Sequence, residues 1–113
     1  MDDNPPLLFR TEVMADRTIV HCSGKVISTT AEMLKAEVKP RIVAGATCVL
    51  DLSEVAFMDS MGLGTIAGLW VSSKTARCSF TVTNLSPRLR DLFTMTHLLS
   101  LFEPCGETNA HIV

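Results

Sequence analysis

The run Val49-Leu50-Asp51-Leu52-Ser53-Glu54-Val55-Ala56-Phe57-Met58-Asp59-Ser60-Met61-Gly62-Leu63-Gly64 constrains the fold more than any other part of this chain. Thr47 to Leu52 is apolar on both faces apart from Asp51. That pattern suits a central strand covered on both sides, or a parallel strand with a helix on one face. Ser53 to Ser60 reads as a loop, and a helix starts at about Met61. A strand handed on to a helix commits the chain to crossover connections and a mostly parallel sheet.

The flanking sequence fits such a frame. Leu7 to Met14 and Thr18 to Ser23 read as strands joined by a hairpin turn at Ala15-Asp16-Arg17, with Gly24 ending the second. Thr29 and Glu32 fit a capping box. The helix after them places Ala31, Leu34, Val38 and Ile42 on its buried side, and Pro40 should kink it or split it in two. Gly45 closes that element. The helix from Met61 to Lys74 is expected to bury Leu63, Ile66, Ala67, Trp70 and Val71 along one stripe. Cys78 to Thr83 follows as a strand. Ser86-Pro87 opens a third helix with Leu89, Leu92, Phe93 and Thr96 inside. Leu98 to Phe102 reads as a short last strand. Residues 1–6 and 104–113 read as flexible tails around one domain at 7–103. The order is β-β-α-β-α-β-α-β, and the opening hairpin adds an antiparallel element to an α/β fold.

Composition narrows the function. A chain of 113 residues with a formal charge of −2 has the size of one domain and no basic excess to draw nucleic acid or an anionic membrane. Cys22, Cys48, Cys78 and Cys105 form no C-x-x-C pair, and His21, His97 and His111 lack metal-ligand spacing, so buried free thiols in a reducing cytosol are expected. The acidic start, Met1 to Pro6, has no apolar signal-peptide core. Met61 to Val71 is too short to span a bilayer. A soluble, cytoplasmic protein without metal or cofactor is expected.

Ser60 is the residue on which the reading turns. Its plain role is a helix N-cap, whose loss would cost about 0.5–2 kcal/mol. Asp59 can cap the helix instead and leave the hydroxyl free. At that spot backbone N–H groups and the helix dipole would tolerate a phosphate. Gly62, Gly64 and Gly68 come close to a dinucleotide fingerprint. The Ser53–Ser60 loop separates them from the strand, however, and no carboxylate stands about 20 residues on to hold a ribose. The glycines are better read as letting the helix come close to its sheet or to a partner. Ser60 lacks the G-x-S-x-G elbow of a hydrolase. His21 and Cys22 are neighbours on a strand and point to opposite faces. Asp51 reads as a strand-end residue bonding local backbone, His97 as a loop residue, and Lys74, Arg77, Arg88 and Arg90 as solvated charges. Leu69 and Met61 are candidate exposed contacts for a partner or for weak self-association; the oligomeric state is open.

Leu50-Asp51-Leu52, Phe57-Met58-Asp59-Ser60-Met61-Gly62-Leu63-Gly64, Gly24 with Thr30-Ala31-Glu32-Met33-Leu34, and Asn84-Leu85-Ser86-Pro87 before Leu92-Phe93-Thr94-Met95-Thr96 together resemble the STAS domain, most closely the bacterial anti-sigma factor antagonists. The resemblance covers about Leu8 to Phe102. It implies a four- to five-stranded mixed β-sheet with helices mainly on one face. It also implies a partner switch that is no enzyme: the unphosphorylated antagonist binds an anti-sigma factor serine kinase, phosphorylation of Ser60 releases it, and a metal-dependent serine phosphatase restores it. ATP and magnesium would belong to the kinase. The partner face would comprise Asp59, Ser60, Met61, Gly62 and Thr65, with Ile27 and Ser28 nearby. Met61 stands where many members carry a second hydroxyl, and Ile27 where many carry an aspartate. The alternative within the same fold is a constitutive scaffold or accessory subunit of a signalling or lipid-transport complex, never phosphorylated, in which Ser60 is only a cap.

Overall fold

The computed structural model describes residues 7–97. Strands β1 (Leu7–Val13) and β2 (Thr18–Val26) form the expected antiparallel hairpin, in register from Leu7 opposite Gly24 to Val13 opposite Thr18. The Met14 N–H donates to the Arg17 carbonyl at 2.7 Å and closes the turn. Strand β2 does not stop at Gly24 but runs through it to Val26, with Gly24 at φ +122°. Its parallel pairing with β3 (Thr47–Met58) shifts register between His21 and Ser23 and again between Gly24 and Lys25. A glycine tolerates the backbone that such an irregularity demands, so here it bends the strand without ending it.

Strand β3 departs from expectation for a related reason. It continues past Leu52 to Met58, so the anticipated loop shrinks to Asp59 alone. Ser53, Glu54, Ala56 and Phe57 are exposed while Val55 and Met58 are buried. These polar and exposed positions interrupt the apolar run, yet the strand stays paired, Glu54 to Ser23, Val55 to Gly24 and Phe57 to Lys25, with Ser53 and Ala56 at the register shifts. With β4 (Ser79–Thr83), the sheet has the order β1-β2-β3-β4, parallel except for the opening hairpin. The anticipated strand Leu98–Phe102, the end of the 7–103 domain, both tails and Cys105 lie outside the described residues.

Helix α1 (Ala31–Val38) buries Ala31, Leu34 and Val38 as expected. Pro40 lies in a separate 3-10 turn, Lys39–Arg41, so the anticipated break occurs. The capping box does not form. Thr30 is the N-cap by position, but its side chain turns away from the helix: Oγ1 accepts from the Ile27 N–H at 2.9 Å and donates to the Lys25 carbonyl at 2.7 Å. Thr30 is fully buried, whereas Thr29 and Glu32 are exposed. Helix α2 (Ser60–Ala76) buries Gly62, Leu63, Ile66, Leu69 and Ser73. Leu63 and Ile66 are buried as expected, but Leu69 is interior and Val71 is 56% exposed, the reverse of what was expected for those two. Ala67 and Trp70 are half-buried, and Lys74, exposed as expected, holds its ammonium 5.2 Å over the Trp70 ring. Helix α3 (Pro87–Met95) starts as predicted, with the Ser86 hydroxyl accepting from the Leu89 N–H at 3.2 Å. Leu89 and Phe93 are buried and Leu92 is half-buried; Thr96 is exposed past the helix end and donates back to the Leu92 carbonyl.

Val20, Leu50 and Val82 stand side by side across β2, β3 and β4, all fully buried, and α1 and α2 pack against that sheet and each other. Strand alternation sends His21 and Asp51 to the opposite face. Asp51 is mid-strand, not at a strand end, although it does bond local backbone. Its Oδ1 accepts from the Ser53 N–H at 3.0 Å and the Asn84 amide at 3.1 Å, and its Oδ2 faces His21 Nδ1. Burial pushes this carboxyl up, but the bonds from Ser53, Asn84 and His21 outweigh burial and hold it below the usual carboxylate range. A lowered folded pKa adds stability above the unfolded value, about 3.9, and that stability is lost as the pH falls through the folded value. Urea midpoints measured from neutral pH downward should therefore fall in acid for the native chain. The acid limb should be flatter for Asp51→Asn, which starts from a lower midpoint at neutral pH.

Candidate functional site

The site forms where β2 and β3 end and α1 and α2 begin. Asp59 is extended (φ −106°, ψ −174°), and its N–H donates to the Val26 carbonyl at 3.2 Å, which ties the end of β3 to the end of β2. Its Oδ1 accepts from the N–H groups of Met61 and Gly62, each at 3.0 Å, and its Oδ2 accepts from the Ser28 N–H at 3.0 Å. One carboxylate thus satisfies two orphan donors of α2 and holds the loop that leads into α1.

Asp59, not Ser60, is therefore the N-cap. Ser60 takes the first helical position and is exposed, and its hydroxyl makes no hydrogen bond among the described residues. Met61 beside it is 56% exposed. Thr65, one turn on, donates to the Met61 carbonyl at 2.9 Å. Ile27 is half-buried and Ser28 exposed. Asp59, Ser60, Met61, Thr65, Ile27 and Ser28 thus gather at one end of the sheet. Gly62 joins them from beneath and is buried. A Cβ at Gly62 would lie 2.3 Å from the Val26 carbonyl oxygen, 2.8 Å from Val26 Cγ1 and 2.9 Å from Met58 Cγ. Only glycine lets α2 start this close to the ends of β2 and β3. At Gly64 and Gly68 a Cβ would meet nothing within 4 Å, so close approach to the sheet explains one of the three glycines.

Sequence reasoning missed two residues here. Phe57, taken for loop, is the penultimate residue of β3 and 42% exposed. Thr30 locks the Lys25–Ile27 bend from inside; the signal for it was an apolar-side threonine just before Ala31, hidden by the better-looking pair Thr29 and Glu32.

The chemistry rejected from sequence fails here too, in one case for a corrected reason. The glycines of the apparent dinucleotide motif sit inside α2, and Gly62 is filled by Val26. The separating loop, by contrast, is mostly strand. Asn84, where a ribose-binding carboxylate would be sought, bonds Asp51. Burial pushes the Cys22 thiol up to about 12, helped by the charges of Asp51 and Glu37, and the Cys48 thiol up to about 11. These thiols are poor nucleophiles. Cys22, Cys48 and Cys78 are free and buried, as expected. Among the described residues, no group of three or more His, Cys, Asp or Glu side chains is placed to hold a metal, and no helix is long and apolar enough to cross a membrane.

Comparison with known proteins agrees with this geometry. The STAS domain model matches residues 8–111. An anti-sigma-B factor antagonist of Bacillus subtilis is 32% identical over 84 residues, covering 74% of this chain and 77% of the relative. One from Listeria monocytogenes is 30% identical over 89 residues, covering 78% of each. The crystal structure of an anti-sigma factor antagonist from Mycobacterium paratuberculosis superposes with a TM-score of 0.74 at 26% identity, over 85% of this chain and 82% of that one.

The glycines separate in a test of stability. Gly64→Ala and Gly68→Ala should each stabilise the chain, by up to about 1 kcal/mol. Gly62→Ala should destabilise it despite the better helix former, because its Cβ meets a backbone carbonyl that cannot give way. Asp59→Ala should cost about 0.5–2 kcal/mol for the cap alone. Urea unfolding of the four variants checks the order, and a stabilised Gly62→Ala would contradict the packing account.

Proposed function

The chain belongs to the STAS domain family, and from that premise we propose that it is an anti-sigma factor antagonist that changes partners through phosphorylation of Ser60. The observation that carries the reading is the division of labour between two adjacent side chains. Asp59 satisfies the start of α2, which leaves the Ser60 hydroxyl exposed and uncommitted at the positive end of a 17-residue helix.

An anti-sigma factor with serine kinase activity is the proposed partner of the unmodified chain. Met61, exposed beside Ser60, and the half-buried Ile27 in the loop tied to Asp59 offer it apolar contacts. In the transfer, Ser60 Oγ forms a P–O bond to the γ-phosphorus of ATP held by the kinase. The β–γ bridging P–O bond breaks, ADP leaves, and the hydroxyl proton passes to a base of the kinase. A serine phosphatase reverses the modification, water taking the phosphoryl group as inorganic phosphate. The chain supplies the acceptor and its partners supply the catalysis.

The phosphate adds about −1.5 to −2 charges. At a helix N-terminus these charges are tolerated by the fold, so the modification acts where the partner's surface meets Ser60 and leaves the core alone. The apolar character of Met61 sharpens the effect, since an apolar partner surface desolvates the phosphate without compensating it.

Because Ser60 is not the cap, Ser60→Ala should change stability by no more than about 0.5 kcal/mol, less than the loss of a cap would bring. It should keep binding the kinase and accept no phosphate. Ser60→Asp should fold as well and bind at least about tenfold more weakly, a loss of about 1.4 kcal/mol. Intact-mass measurement of the chain recovered from its host, with binding titrations of the three forms, tests the proposal. A chain never found phosphorylated, or an Asp variant that binds as tightly as the native one, would overturn it.

A further inference from the structure

A groove of about 410 Å³ runs along the seam of α1 and α2, away from the sheet, with Ser60, Met61 and Thr65 lining one end. Gly64 and Gly68 lie on its α2 side, and Glu32, Lys35 and Lys39 on its α1 side. We propose that this groove seats an acidic helix of the anti-sigma factor, so that the partner face extends from Ser60 along α2 as far as Ser72. The inference rests on the antagonist reading above and adds to it a second, charged half of the interface.

Three observations support it. The groove is continuous with the face that carries Ser60 and the exposed Met61. Its charge is uneven. Glu32 stands in the first turn of α1, whereas Lys35 and the C-capping Lys39 follow one and two turns on, so the half away from Ser60 is positive. Lys35 and Lys39 are four residues apart, on one side of the helix and both exposed. Two carboxylates one turn apart on a partner helix would match them.

The third observation is the floor. Gly64 and Gly68 each weaken α2 by about 1 kcal/mol relative to alanine, and among the described residues nothing packed against the helix comes within 4 Å of where their Cβ would be. Among the described residues, no packing contact calls for their small size. Two glycines four residues apart open a shallow lane along the helix, into which a ridge of i, i+4 side chains from a second helix can settle. Glycine there serves a neighbour from outside, as Gly62 serves Val26 from inside.

The test measures binding of the full chain to the purified anti-sigma factor kinase of the same host at two salt concentrations. The chain is compared with Gly68→Leu, with the double variant Lys35→Glu/Lys39→Glu, and with Ser60→Asp. Gly68→Leu puts a side chain into the lane from a position where a Cβ meets nothing within 4 Å, and its thermal midpoint should be unchanged or raised. Both groove variants should bind at least about tenfold more weakly, and the charge-reversed variant should lose the salt dependence shown by the native chain. If both bind like the native chain while Ser60→Asp is released, the groove proposal is overturned and the antagonist reading stands. If the native chain itself does not bind the kinase, both fall together.

Discussion

The carboxylate of Asp59 is the interaction on which this end of the molecule depends. Three backbone donors meet it: Met61 and Gly62 from the start of α2 and Ser28 from the loop before α1. Its own N–H is fixed to the Val26 carbonyl, and its carbonyl accepts from Leu63. Two strand ends and two helix starts are therefore joined through one residue. The consequence for function is indirect but strong. A helix N-terminus needs an acceptor, and once Asp59 supplies it, the serine that follows has no structural duty. Had Ser60 been the cap, its modification would have competed with the helix for the same oxygen. With Asp59 as cap, the fold leaves the Ser60 oxygen free for the proposed modification.

That junction depends in turn on strands long enough to reach it. β2 and β3 both outrun the stops that their sequences suggest, β2 through Gly24 and β3 through Ser53 and Glu54. The two extensions need each other. The pairing of Ser23 with Glu54 and of Lys25 with Phe57 holds both, and the irregularities at His21–Ser23 and Gly24–Lys25 let the longer strand keep Val55 and Met58 inside. Neither extension is favoured locally, and the apolar run that marks β3 in the sequence ends at Leu52. The hairpin, the proline break after α1, the start of α3 and the existence of α2 were legible because each rests on a local signal: a turn, a ring that blocks a donor, a serine before a proline, an apolar 3.6-residue period. What was not legible depends on contacts between segments far apart in sequence. Thr30 gave up its cap to bond the Lys25–Ile27 bend, and the buried stripe of α2 rotated to take in Leu69 and leave Val71 out.

The candidate site was more legible than the fold around it, for a physical reason. Its residues are nearly contiguous: Asp59, Ser60, Met61 and Thr65 fall within two turns, and only Ile27 and Ser28 arrive from elsewhere, brought by a single hydrogen bond to Asp59. What the sequence left undivided was Asp59 against Ser60 as cap. The two are equally good N-cap residues by preference. The choice is made by reach, since the carboxylate of Asp59 has a second oxygen to spend on Ser28 and a hydroxyl at that position would not.

Helix α2 shows what the site asks of the rest of the molecule. Three glycines in one helix cost about 2–3 kcal/mol against alanine. Burial of Leu63, Ile66 and Leu69 against the sheet and α1 returns about 1.5–3 kcal/mol for each side chain. The helix is thus stable by virtue of its inner face and not its propensity. Its outer face, from Ser60 through Gly64 to Gly68, is free of any packing demand. Of the three glycines, only Gly62 stabilises the fold, by allowing the contact with Val26. The other two weaken the helix on its groove side, where among the described residues no packing contact fills the place of a Cβ. A sequence under stability pressure alone would replace them with alanine at no steric cost. Their presence on the surface that begins at Ser60 fits a helix shaped by what docks on it.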